Sequence, residues 1–96
     1  MPALMVALID LKHPDAYGAY RDLASVAMNK FGGAFKARGG KHDLFEGSFT
    51  GNRVVVAEFP SLEQARAFYD SPEYKLAIKA REGVANFLTM LAVEST

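Results

Sequence analysis

Cysteine and tryptophan are absent from the 96 residues. Without cysteine there is no disulfide and no thiolate chemistry, a usage that suits a cytoplasmic protein. Net charge is missing too, because eleven basic and eleven acidic side chains cancel. A general nucleic-acid binder needs a basic face, so no nucleic-acid partner is expected. No apolar run approaches the ~20 residues that span a bilayer, and no membrane association is expected. The N-terminal stretch lacks the basic segment and long apolar segment of a signal peptide. Histidine is scarce: His13 and His42 lie far apart and outside any recognised ligand spacing, so no metal is expected. Gly32-Gly33 and Gly39-Gly40 form neither a phosphate loop nor a dinucleotide fingerprint, and no cofactor is implied. Haem ligation by His42 is the one route left open.

What is present is apolar and periodic. Half of the residues are hydrophobic, and residues 1–96 are read as a single domain. The stretch RVVVAEFPSLEQARAFYDSPEY (53–74) organises the chain. Val54, Val55 and Val56 are β-branched and uninterrupted by polar residues, which predicts a central strand. Pro60 ends it. Ser61, with Gln64 three residues on, opens a helix whose inward face carries Leu62, Ala65, Phe68 and Tyr69. Ser71-Pro72-Glu73 repeats the start signal, so the helix breaks near Asp70 and restarts as a second piece ending at Gly83.

The rest is read in order. Residues 3–11, ALMVALIDL, form a second central strand. Pro14 opens a helix to about Phe31, although its cap position falls on His13, a poor capping residue. Gly32-Gly33 stops it. Ala34 to Arg38 alternates, with Phe35 and Ala37 on one face and Lys36 and Arg38 on the other, as in a strand near an edge. Gly39-Gly40 marks a bulge or bend. Asp43 to Phe49 is read as a resumed strand, and Thr50-Gly51-Asn52-Arg53 as a tight hairpin. Asn86 to Val93 is the last strand.

The order is therefore β-α-β-β-α-β: an α+β, ferredoxin-like antiparallel sheet with the helices on one face. Three of its strands are apolar on both faces, and no residues remain to cover the second side. A second copy, packed sheet to sheet as a homodimer around a barrel-like space, is the expected solution. An open sheet with exposed valines is the alternative.

The succession FGGAFKARGG (31–40), HDLFEG (42–47) and VVVAEFPSLEQARAFYDSPEY (54–74) resembles the bacterial domain-of-unknown-function family 1330 of the dimeric α/β-barrel superfamily. The resemblance covers essentially the whole chain. It implies a ferredoxin-like subunit in a barrel-forming homodimer and no particular activity. Superfamily relatives include cofactor-free monooxygenases, muconolactone isomerases and haem-handling enzymes, an analogy at the level of fold. His13 departs from the family's usual cap, and Phe68 stands where tryptophan is common.

Arg38 and Glu58 are the main candidates for chemistry. Glu58 sits in an apolar strand, where a carboxylate is expensive unless paired. Three readings stand. Arg38 binds a ligand carboxylate or enolate while Glu58, its pKa raised by burial, is general base; the two form a structural ion pair that fixes strand register; or Glu58, at the strand end, reaches solvent. His42 is a candidate proton shuttle or a solvated loop residue. Glu46 either faces the cavity or pairs with Arg53. Tyr20, Tyr69 and Tyr74 lie on helix faces turned to the sheet, where a phenol either binds a ligand oxygen or belongs to the core. The functional alternatives are a small-molecule enzyme or binder and a non-catalytic dimerisation or ligand-sensing module. For the enzyme, the expected chemistry is proton transfer beside a carbonyl or cofactor-free oxygenation.

Overall fold

The computed structural model describes residues 1–96. The elements are β1 (Ala3–Leu11), a 3-10 turn (Pro14–Ala16), α1 (Gly18–Lys30), β2 (Ala34–Arg38), β3 (Arg53–Phe59), α2 (Leu62–Asp70), α3 (Pro72–Ala80) and β4 (Ala85–Glu94). The sheet runs β2-β3-β1-β4, and every pairing is antiparallel. This is the ferredoxin-like plan. The two valine- and leucine-rich strands, β1 and β3, are central, and β2 and β4 are the edges. No helix is long and apolar enough to cross a membrane.

Strand alternation assigns the two faces. On β1, Ala3, Met5, Ala7 and Ile9 are buried, whereas Leu4, Val6, Leu8 and Asp10 are only half-buried. The buried set faces the helices. Tyr74, Phe59 and Phe68 are among the largest fully buried side chains, with Ile9. Phe59 and Phe68 pack at 5.1 Å between ring centroids, and Phe68 and Tyr74 at 4.4 Å.

The helix signals at 61 and 71 are realised. Ser61 Oγ accepts from the Gln64 amide at 3.1 Å. Ser71, 4% exposed, works on two helices at once. Its hydroxyl donates to the Phe68 carbonyl at 2.7 Å, closing α2, and accepts from the Tyr74 amide at 3.0 Å, opening α3. Gly83 takes a φ of 75°, beyond the end of α3.

Three expectations are corrected. Pro14 does not open α1: it starts a single 3-10 turn, and the α-helix begins at Gly18. His13 makes no side-chain cap bond, so nothing fixes the first turn in α geometry. Residues 43–49 form no strand: β3 already has β1 and β2 on its two sides, and the segment does not pair with the outer edge of β2. Residues 50–53 are not a tight hairpin either. The connection from β2 to β3 spans residues 39–52, and Gly51 lacks a positive φ. Its glycine is needed for close approach: a Cβ there would lie 2.3 Å from the Ile9 carbonyl oxygen. Asn52 then docks on β1. Its amide donates to Ile9 O at 2.9 Å, and its side chain bonds both the Leu11 amide (2.8 Å) and carbonyl (3.0 Å).

Candidate functional site

The site follows from the parity of β2. Opposite β3, Phe35 pairs with Ala57, but Ala37 pairs with Val56, so Lys36 is an inserted residue, a β-bulge. An inserted residue reverses the faces beyond it. Arg38 therefore lands opposite Val55, on the helix side, sharing a face with Phe35. Its guanidinium lies 3.9 Å from the centre of the Phe35 ring and donates to Ser25 Oγ on α1 at 3.0 Å.

Glu58 takes the opposite face, level with Leu4. Its side chain is 41% exposed and pairs with Lys36 at 3.7 Å. The structure thus separates Arg38 from Glu58 by the thickness of the sheet, and the salt bridge forms with Lys36 instead. His42 and Glu46 are exposed in the loop, His42 beside the Phe49 ring at 5.6 Å. Tyr69, read as facing the sheet, is 38% exposed and stacks under Lys75. It follows Phe68 by one residue, so it is rotated away from the core-facing stripe. Tyr20 and Tyr74 are buried as read.

Between the helix face of the sheet and the helices lies a cavity of about 40 Å³. Sixteen residues line it; thirteen are apolar, and the other three are Arg21, Arg38 and Arg53. The same three arginines, with Asp22 and Ser25, line an adjoining outer cleft of about 310 Å³. They come from three elements: α1, the end of β2 and the start of β3. No arginine of this group forms a salt bridge; the ion pairs of the fold are Lys30–Glu73 and Lys36–Glu58. Arg53 Nε is buried with no hydrogen-bond partner. Gly39, at φ 79°, makes room for this guanidinium, since a Cβ would meet Arg53 Nη1 at 2.1 Å. Arg53 also lies 5.3 Å from the Tyr17 ring centre. Burial pushes the Tyr17 phenol up, against the pull of Arg53.

At the buried end, Tyr20 Oη and Tyr74 Oη are 2.7 Å apart. Arg81 Nη1 donates to Tyr74 Oη at 3.0 Å while its guanidinium stacks 3.6 Å from the Phe87 ring centre. Burial raises the Tyr20 pKa, and neighbouring Tyr74 raises it further. Burial raises that of Tyr74 as well, opposed by the Arg81 charge.

Arg21, Arg53 and Arg81 were not singled out from the sequence. Arg53 had a usable signal, since it shares strand parity with Ala57 and Phe59. Arg81 had one too, seven residues after Tyr74 and so on its helical face.

Fold and cavity together define a ferredoxin-like α+β protein with an apolar chamber and a cationic mouth. The chain belongs to the family described as Domain of unknown function (DUF1330), whose model matches residues 2–96. No curated protein matches it. Among solved structures, the RPA0582 protein of unknown function from Rhodopseudomonas palustris is 21% identical at a TM-score of 0.73, over 99% of this chain and 82% of that one. A dimeric protein of unknown function and ferredoxin-like fold from Bacteroides fragilis is 14% identical at a TM-score of 0.58, over 98% and 96%. SnoaB, a cofactor-independent oxygenase from Streptomyces nogalater, is 8% identical at a TM-score of 0.63, over 99% and 93%. At these identities the likeness is one of fold.

Proposed function

We propose that this protein binds a small organic acid between its sheet and helices, with the carboxylate at Arg21, Arg38 and Arg53 and the apolar body directed into the cavity. One observation carries the reading: in a chain of zero net charge, three guanidinium groups converge on one apolar opening without a salt-bridge partner. Planar guanidinium groups suit a carboxylate by bidentate pairing. Asp22 in the outer cleft offsets only part of that charge. The chamber holds about 40 Å³, room for one or two waters rather than a ring. Met5, Met28 and Met90 line it, and methionine repacks readily. Ligand entry therefore proceeds by displacement of these side chains.

We propose the homodimer as well. Leu4, Val6, Leu8, Val54, Val56, Leu91 and Val93 share the face that no helix covers. Leu91 and Val93 are 52% and 55% exposed. A second copy is the occupant that fits, and the Bacteroides fragilis neighbour is described as dimeric.

Calorimetry with benzoate and uncharged benzamide tests the pocket. Benzoate binds the wild type more tightly, and Arg38→Met or Arg53→Met weakens it about tenfold or more, as expected for hydrogen bonds to a charged group. Glu58→Gln, on the other face, leaves binding unchanged. Equal affinity for acid and amide overturns the assignment. Loss of binding in Glu58→Gln alone moves the ligand to the space between the two sheets.

A further inference from the structure

The arginine mouth accounts for one end of the cavity. The buried end carries a second polar group with no part in that recognition: the chain Arg81–Tyr74–Tyr20. Tyr20 is the member of this trio that lines the cavity. Two hydroxyl arrangements are compatible with its geometry. In one, Tyr20 donates to Tyr74, and Tyr74 donates to Met90 Sδ at 3.7 Å. In the other, Tyr74 donates to Tyr20, and the Tyr20 proton turns toward the cavity. Arg81 donates to Tyr74 Oη at 3.0 Å in both, so the Tyr74 proton must always go onward.

A thioether is a weak acceptor. Its bond to Tyr74 is readily surrendered once a stronger acceptor stands beside Tyr20. The fixed positive charge of Arg81 acts in the same sense. It draws electron density toward Tyr74 Oη and favours protons displaced away from the guanidinium, along the chain to Tyr20. Apolar walls make such a donor stronger than it would be in water.

We infer that Tyr20, polarised through Tyr74 and Arg81, is a hydrogen-bond donor for a second, anionic or carbonyl oxygen on the ligand, so that the site selects organic acids bearing a phenolic, enolic or keto oxygen remote from the carboxylate. This rests on the arginine reading of the mouth and extends it. Such a ligand is held at both ends, and its enolate or phenolate form is favoured over the neutral form. The ligand's proton leaves to solvent; Tyr20, Tyr74 and Arg81 keep theirs. Tyr20 touches the ligand, and Tyr74 and Arg81 act through it as positioning residues.

The test compares benzoate with its three hydroxy isomers. Affinity is measured by calorimetry and ligand ionisation by the ultraviolet phenolate band of the bound acid. In the wild type, the meta or the para isomer binds about tenfold or more tightly than benzoate, and its phenol ionises at lower pH than in solution; a preference for the ortho isomer alone overturns the inference. Tyr20→Phe keeps the ring, brings the affinity for the preferred isomer down to that of benzoate measured on the same variant, and returns ionisation toward the solution value. Tyr74→Phe, which breaks the link to Arg81, moves ionisation in the same direction. A structural role alone would not shift ligand ionisation. If benzoate binds but no isomer is preferred, or if Tyr20→Phe leaves the phenolate band unmoved, the inference is overturned and the arginine mouth stands. If neither benzoate nor any isomer binds, both fall.

Discussion

Replacing Ser71 by alanine is the sharpest test of how the helical layer is held. Ser71 Oγ both donates to Phe68 O and accepts from Tyr74 N. The two losses are unequal. Phe68 O still accepts from the Ser71 amide at 3.2 Å, so that carbonyl keeps a partner. The Tyr74 amide lies in the first turn of α3, where no preceding carbonyl is in reach, and its only bond is to the lost hydroxyl. Residue 71 is buried, so water does not replace it freely. A lost N-cap costs about 1 kcal/mol, and a buried donor left unsatisfied about 1–3 kcal/mol. Those overlap, giving about 2–3 kcal/mol for Ser71→Ala. In a domain of this size that is a fall in Tm of roughly 10–20 °C. Ser61→Ala is the internal control. It removes a single cap bond at a less buried position, for about 1 kcal/mol. Thermal and urea unfolding of both variants decide it. If Ser71→Ala is no worse than Ser61→Ala, the double-cap argument is wrong.

Alkaline stability is the second prediction. The phenols of Tyr20 and Tyr74 have raised pKa values, both chiefly through burial. The folded state therefore keeps protons that the unfolded chain releases above about pH 10, so stability is full below that pH and falls as pH rises. Each phenol contributes a slope of about 1.4 kcal/mol per pH unit, and urea midpoints between about pH 9 and 11 should be shallower in Tyr20→Phe. A pH profile identical in the two proteins refutes it. The third prediction concerns the uncovered sheet face. Val56→Asp places a carboxylate at its centre and is expected to convert a dimer at micromolar concentration into monomers in sedimentation experiments. A wild type that already sediments as a monomer removes the second copy from the account.

Much of the fold was legible because local chemistry and tertiary context agree. The valines at 54–56 form a central strand, the serines at 61 and 71 cap helices, and β1 runs over the nine residues read for it. The failures lie where local signals were ambiguous. Thr50-Gly51-Asn52 has hairpin composition, yet Gly51 serves close approach to Ile9, a contact from across the sheet that no local window contains. His13-Pro14 has half of a helix start, and the structure forms half of one.

The candidate site was legible in its parts and misplaced in its assembly, for one reason. Strict alternation from Phe35 puts Arg38 on the face away from Phe35, where Glu58 also points. The pair then looks like acid and anchor in one cavity. A single inserted residue, Lys36, reverses that parity. It brings Arg38 over the Phe35 ring and among the arginines of the mouth, and it leaves Lys36 to neutralise Glu58 on the other side. Nothing in AFKAR announces a bulge, because none of its residues requires a special φ and the glycines come afterwards. The bulge is fixed instead by what each face offers. The helix side gives Arg38 a ring, a serine hydroxyl and a cleft open to solvent. The bare side, apolar at its centre, offers Lys36 the carboxylate of Glu58 at 3.7 Å. Deciding between the two registers required knowing where Ser25 and Glu58 stand, and both are set by long-range pairing rather than by their neighbours in sequence.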